Sequence, residues 1–242
     1  MIQVFLKEVN SFLNSLIAYI VLSVFLVGVG LLVWVFPETS VLEWGYADLE
    51  TLFSFGPYVL LFLLPAITMR TFAEEKKGGT LELLYTRPLT DWQVILGKYF
   101  SSLFLLLLAL IPTLLYYYSL SELGNPPGNI DTAAVAGSYL GLFLLGAVFA
   151  AIGMFASSLT ENQIVSFLIA LFLCFILYSG FSSLATIDVL SARGYVVQQL
   201  GILYHYNALS KGLIDSRNVI YFLSVIVLML MLTKLVLSSR KW

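Results

Sequence analysis

The stretch with the densest charge in this 242-residue chain, residues 74–98, reads EEKKGGTLELLYTRPLTDWQVILGK. Phosphate binding is one chemistry to test, because it holds the only Gly-Lys pair, Gly97-Lys98. Tyr99 follows that pair, however, and the upstream glycine of a phosphate loop is missing. No HExxH motif, Ser-His-Asp arrangement or kinase signature is present, and a single His205 and a single Cys174 make no metal cluster. We therefore expect no catalytic residue, no metal site and no cofactor bound by this chain.

Local signals inside residues 74–92 predict short helices separated by firm breaks. Gly78-Gly79 can end a helix, because glycine adopts the left-handed conformation without steric cost. Thr80 can cap the next helix, with Glu82 near its positive N-terminal end. Pro88 stops that helix, since the residue before a proline disfavours the helical conformation. This order predicts that residues 74–92 form a rigid, folded surface, which we call the shelf. A solvated run of charged residues is the competing interpretation.

The shelf ends at a predicted capping box, in which Thr90 and Gln93 bond each other's backbone at the start of a new helix. Leu83 and Leu84 give the short helix before it an apolar side that a soluble partner could bind. Lys76 is assigned to a solvated flank of the shelf, so its substitution is expected to change little.

The elements on either side of the shelf are long and apolar. Apolar residues make up 60% of the chain and charged residues 11%, against about 25% charged residues in a soluble domain. A membrane-spanning helix needs about 20 apolar residues, and backbone in lipid must pair internally, so such runs predict helices. We expect one all-α integral membrane domain over residues 1–242, with six spans at 12–36, 52–70, 98–120, 132–157, 163–185 and 218–237.

Two flanking segments are too polar to span. Residues 1–11 predict either a helix in the membrane interface, with Ile2, Phe5, Leu6 and Val9 on its apolar face, or a frayed start of the first span. Residues 186–217 predict short amphipathic helices at the outer leaflet before the last span.

The distribution of basic residues predicts the orientation. With both termini in the cytoplasm, nine of the 12 Lys and Arg residues lie inside, which follows the positive-inside rule. Residues 71–97 are then cytoplasmic and residues 186–217 are outside. Within the fourth span, small residues recur on one stripe, which predicts close helix packing, either inside the bundle or with a second copy of the chain. The stripe consists of Gly146, Ala150, Gly153 and Ser157.

Residues 74–98 resemble the cytoplasmic coupling segment of ABC-2 type transporter permeases, which has an acidic-basic cluster, Gly-Thr-x-Glu-x-Leu-Leu, a proline and then Gly-Lys at the next span. The matching positions are Glu75, Gly79, Thr80, Glu82, Leu83, Leu84, Pro88, Gly97 and Lys98. Within that family, residues 205–223 are similar to the gliding-motility-associated permeases of Bacteroidetes and to copper-enzyme maturation permeases. The gliding-motility subgroup is the nearer likeness.

The resemblance implies a permease subunit of the bacterial inner membrane that hydrolyses nothing itself. A separate ABC ATPase would bind ATP and Mg²⁺ and dock on the shelf. A second permease copy or a related permease subunit, and a membrane subunit with an extracytoplasmic domain, would complete the assembly. The coupling residues it implies are Glu75, Gly79, Thr80, Glu82, Leu83, Leu84, Arg87, Pro88 and Trp92.

Two other function classes compete with an ATP-driven permease. A passive channel or carrier is disfavoured because no charged residue lies deep in a predicted span and no internal repeat is evident. An intramembrane enzyme is disfavoured because no catalytic arrangement is present.

Overall fold

The computed structural model describes residues 1–45, 47–80, 89–185 and 194–239. The regular secondary structure of these residues is helical, and none of them forms a β-strand. The helices in chain order are α1 (Ile2–Leu13), α2 (Leu16–Trp34), α3 (Val41–Trp44), α4 (Glu50–Thr68), α5 (Ala73–Lys77), α6 (Asp91–Leu110), α7 (Leu114–Leu123), α8 (Thr132–Leu159), α9 (Gln163–Phe175), α10 (Phe181–Ala185), α11 (Gly194–Gln199), α12 (Ile202–Leu209) and α13 (Ser216–Ser239). A 3-10 turn at Ile111–Thr113 joins α6 to α7, and a π-helical turn at Ile176–Gly180 joins α9 to α10.

Six segments of the described residues are long and apolar enough to cross a membrane. They are Leu16–Trp34, Glu50–Lys77, Asp91–Leu123, Thr132–Leu159, Gln163–Ala185 and Ser216–Ser239. The predicted all-α membrane fold with six spans is therefore confirmed. The second span joins α4 to α5, the third joins α6 to α7, and the fifth joins α9 to α10.

Helix α8 forms the centre of the bundle. It packs against α4, α6, α9 and α13, and 78% of its most apolar segment is buried, compared with 22% for α2. Its small residues allow this, because they let neighbouring helix backbones approach closely. The less buried α2, α9 and α13 lie around the periphery.

The N-terminal helix α1 is separate from the first span. Asn14 ends α1, and the Ser15 hydroxyl accepts a bond from the Ile17 amide at the start of α2. The frayed-start interpretation is therefore wrong, and the first span begins at Leu16 rather than residue 12. The buried face of α1 consists of Val4, Val9 and Phe12. Val9 of the predicted apolar face is therefore buried as expected, whereas Ile2 and Leu6 of that face are exposed.

Two short helices, α11 and α12, precede the last span at one end of the bundle. They occupy the described part of the 186–217 region, whose first eight residues lie outside the description. The Tyr206 hydroxyl of α12 donates to the Phe53 carbonyl over 2.6 Å. The Ser138 hydroxyl of α8 donates to the Ser210 carbonyl over 2.8 Å. These bonds hold α12 against the second and fourth spans.

Candidate functional site

Charged side chains meet at the opposite end of the bundle, which we call the charged end. It comprises α1, residues 69–80, the start of α6 and the end of α8. The Arg70 guanidinium donates to the Ser15 hydroxyl over 3.0 Å, which places the end of α4 beside the start of α2. The segment singled out by the sequence, residues 74–98, begins and ends here.

The residues immediately before the segment are attached to the central helix α8 through Ser157. Its hydroxyl accepts bonds from the amides of Phe72 and Ala73, over 3.0 and 3.1 Å, and donates to the Met69 carbonyl over 3.0 Å. One hydroxyl thereby uses its donor and both acceptor positions. The first amide groups of a helix have no partner within it, so Ser157 caps α5 from another helix.

A second attachment to α8 comes from Lys76, within the segment. Its ammonium donates to the Ser158 carbonyl, and the residue is half-buried. The assignment of Lys76 to a solvated flank is therefore wrong, which removes the reason for expecting its substitution to change little. Lys77, the next residue, is exposed.

The most buried charge at this end is Lys98, near the start of α6. Its side chain has 0% exposure, and its ammonium donates to Glu8 Oε1 and to the Thr71 carbonyl, each over 2.7 Å. The same nitrogen forms an ion pair with Glu75 Oε2 at 3.0 Å and lies 5.2 Å from the centre of the Phe72 ring. Such burial is tolerable only because two carboxylates balance the ammonium.

Lys7 completes a four-charge cluster, defined by Lys7, Glu8, Glu75 and Lys98. Its ammonium donates to Glu75 Oε1 over 2.6 Å and lies 3.7 Å from Glu8 Oε1. Partial burial alone would lower the pKa of Lys7, but the hydrogen bond and charge of Glu75 raise that pKa above its ordinary value. The two ammonium groups and two carboxylates sum to zero charge.

The four-charge cluster joins three elements that are distant in sequence. Lys7 and Glu8 lie on α1, Glu75 lies on α5 and Lys98 lies on α6. Gly97 allows the close approach of α1, because a Cβ there would lie 3.0 Å from the Met1 carbonyl oxygen and 3.1 Å from the Val4 Cβ. The resemblance had pointed to Glu75 and Lys98 but gave no sign of their α1 partners.

The break after α5 has the predicted geometry. Gly79 has a φ of 64°, in the left-handed region that glycine adopts without strain. The Thr80 hydroxyl donates to the Glu75 carbonyl over 3.3 Å. The remaining predicted coupling residues lie outside the described residues; these are Glu82, Leu83, Leu84, Arg87 and Pro88.

The far end of the segment is held against the last span. The predicted capping box forms, with the Gln93 amide 3.3 Å from the Thr90 hydroxyl and the Thr90 amide 3.1 Å from Gln93 Oε1. The Trp92 ring is half-buried and lies 5.1 Å from the ammonium of Lys234 on α13. Trp92 thus connects the start of α6 to α13.

The small-residue stripe of α8 packs inside the chain. A Cβ at Gly146 would lie 2.6 Å from Leu106 Cδ2, and one at Gly153 would lie 1.9 Å from Thr68 Oγ1. Ala150 and Ser157 have 0% exposure. In the described structure the stripe therefore contacts α4, α6 and residues 69–73, and it presents no free surface to a second copy.

The sole histidine has a structural environment. One His205 ring nitrogen lies 2.8 Å from Asn218 Oδ1, the other lies 2.9 Å from the Gln199 carbonyl, and the ring stacks on Tyr221. It therefore ties α11 and α12 to the last span. Among the described residues, no group of three or more His, Cys, Asp or Glu side chains could hold a metal ion.

Comparison with known proteins identifies the family. The family model described as ABC-2 family transporter protein matches residues 58–242, which is more than half of the chain and includes the whole 74–98 segment. A search of curated proteins found no match. The chain therefore belongs to the ABC-2 family of transporters and is the multi-pass permease subunit that works with an ABC ATPase.

Proposed function

We propose that an ABC ATPase docks on residues 74–92 and that these residues pass the work of ATP hydrolysis into the membrane bundle. The observation that carries this is the fixed start of the segment. Ser157 attaches the residues just before it to α8, and Glu75 attaches it to α1 and α6. A loosely tethered loop would not transmit displacement. ATP and Mg²⁺ are bound by the ATPase, and this chain supplies the docking surface.

The docking contact combines an apolar and a charged part. Leu83 and Leu84 supply the apolar contact, and Glu82 meets a basic residue of the ATPase. Gly79 and Thr80 are exposed at the start of this surface. Removing one partner of a desolvated charge contact costs about 2–5 kcal/mol of binding free energy, whereas removing an exposed charge at the rim of an interface changes that free energy little.

The charged end faces the cytoplasm in this proposal, and the protein resides in the bacterial inner membrane with both termini inside. Nine of the 12 Lys and Arg residues then lie on the cytoplasmic side. The α11–α12 pair lies at the outer end. An ATPase confined to the cytoplasm can reach the 74–92 segment only in this orientation.

The assembly we propose serves gliding motility. A second permease copy or related subunit completes the membrane part, and a membrane subunit with an extracytoplasmic domain receives the movement. The support is the likeness of residues 205–223 to the gliding-motility-associated permeases, in the region of α12 and the start of α13. Deleting the chain should stop surface gliding while cells still divide. Normal gliding of the deletion strain would refute the role in motility but would not affect the role as a permease subunit.

The decisive experiment is purification of the tagged chain from its native membranes. The chain should carry an ABC ATPase subunit with measurable ATP hydrolysis. Glu82→Lys should lower the amount of ATPase recovered while the chain keeps its normal level in the membrane. Recovery of no ABC ATPase on the unaltered chain would overturn the proposed docking.

A further inference from the structure

Helix α1 lies outside the region that the family model matches, which begins at residue 58. Two of its side chains nevertheless bond to the family's coupling segment and to the start of the third span. Glu8 accepts from Lys98 over 2.7 Å, and Lys7 donates to Glu75 over 2.6 Å. The coupling site is therefore incomplete without a helix that the family match does not include.

The geometry makes α1 a separate body rather than an extension of the first span. The chain breaks at Asn14 and Ser15, and α1 packs along α6 rather than continuing α2. The face that α1 buries includes Val4 and Val9, and Gly97 lets it approach α6 closely. Helices α1 and α6 therefore pack closely along this face.

Free space lies beside the four-charge cluster. A cavity of about 400 Å³ opens between α1, the α4–α5 turn and α6, and its lining includes Phe12, Arg70 and Ser102. The attachments of α5 to α8, through Ser157 and Lys76, lead to the close-packed centre of the bundle, where Ser157 is fully buried. The α5 helix thus has a close-packed contact on its α8 side and room for displacement on its α1 side.

We propose that Glu8 and Lys98 are positioning residues that transmit displacement of the ATPase-bound segment to α1 and the third span. The inference rests on the proposed function, because it requires an ATPase on residues 74–92. Glu75 connects the segment to Lys98, and Lys98 connects it to Glu8. Removing Glu8 and Lys98 leaves the ATPase able to dock and keeps the Lys7–Glu75 and Ser157 bonds. It removes the connection from Glu75 to α6, so the third span no longer follows the ATPase cycle.

The test is the double variant Glu8→Leu/Lys98→Met. It removes one carboxylate and one ammonium together, so Lys7 and Glu75 remain as a balanced pair and no buried charge is left without a partner. Replacing both partners of a buried ion pair by apolar side chains is often neutral for stability. Membrane level and ATPase recovery should therefore match those of the unaltered chain.

The readout is ATP hydrolysis by the reconstituted complex. The maximal turnover should fall at least about fivefold, which corresponds to about 1 kcal/mol of activation free energy, while the KM for ATP stays unchanged because nucleotide binds the partner. Glu161→Gln is the matched control: Glu161 is an exposed carboxylate that follows α8 at the same end of the bundle and lies outside residues 74–92, and its turnover should be normal.

The outcomes separate the inference from the proposed function. If the unaltered chain recovers no ATPase, the proposed function fails and the inference fails with it. Normal turnover in a double variant that still recovers ATPase overturns the inference alone, as does loss of ATPase recovery at a normal membrane level. If the double variant is missing from the membrane, Glu8→Gln decides, since it keeps the side-chain shape. Normal turnover or loss of the folded chain in Glu8→Gln overturns the inference, whereas normal recovery with lowered turnover supports it.

Discussion

Substitution of Gly153 by alanine should destabilise the bundle at the crossing of α4 and α8. A Cβ at this position would lie 1.9 Å from the Thr68 hydroxyl oxygen and 3.0 Å from the Thr68 Cβ. Thr68 is fully buried, and its hydroxyl donates to the Leu64 carbonyl over 2.8 Å. Rotating the Thr68 side chain away would break that bond, and moving the helices apart would open the packing of the central helix.

The magnitude follows from two costs. Overpacking a close-packed interior costs about 1–3 kcal/mol, and loss of one intramolecular hydrogen bond costs about 1 kcal/mol. Alanine has a higher helix propensity than glycine by about 1 kcal/mol, which offsets part of this. We expect Gly153→Ala to lower the free energy of unfolding by about 1–3 kcal/mol, the sum of these opposing terms.

Gly28→Ala is the matched control, because Gly28 lies in the spanning helix α2 and a Cβ there meets no atom within 4 Å. It should be neutral or slightly stabilising. Thermal melting of the detergent-solubilised variants gives the comparison. Adding Thr68→Ala to Gly153→Ala should recover part of the loss, since it removes the obstructing hydroxyl. Equal melting of the Gly153→Ala and Gly28→Ala variants would refute the close-contact argument.

Three further predictions concern the charged end and the orientation. Leu84→Asp should abolish recovery of the ATPase at a normal membrane level, with Glu161→Gln, an exposed position outside residues 74–92, as its silent control; full recovery with Leu84→Asp would make the shelf a solvated loop. Cysteines placed at Asp48 and Lys211 should label with an impermeant reagent added from outside, and one at Lys77 should not; outside labelling at 77 would reverse the orientation. Ser157→Ala should destabilise the chain by about 1–3 kcal/mol, because it leaves buried amides at the start of α5 without a partner; an unchanged melting temperature would contradict this.

The sequence predicts the parts of this fold that depend on neighbours along the chain. Uncharged runs locate six spans, and Thr90 with Gln93 predicts the capping box, because a span and a cap each depend on a few adjacent residues. The ammonium of Lys98, by contrast, donates to Glu8, which lies ninety positions away in the sequence. No local period encodes such a pair, so the α1 side of the site could not be predicted.

The buried face of α1 shows a second kind of failure. Ile2 and Leu6 are apolar but exposed, whereas the buried face carries Val4, Val9 and Phe12 and adjoins the charged Glu8. In water, an apolar face marks the side that packs. A helix at a membrane presents apolar residues to lipid as well, so apolar character does not separate the packed face from the lipid face.

The attachments of α5 to α8 and to the four-charge cluster differ, and in the coupling that we propose they have different mechanical roles. Phe72 at the start of α5 makes no side-chain cap of its own, and α5 spans only five residues. Because a helix that short is not stable alone, the bonds from Ser157 fix its start on α8, the most buried helix. Displacing that start would disturb the centre of the bundle. The Glu75 carboxylate, by contrast, is held by the side chains of Lys7 and Lys98, with a cavity beside them. In the coupling that we propose, movement imposed on the segment therefore turns α5 about its contacts with α8 and reaches α1 through Lys7 and α6 through Lys98.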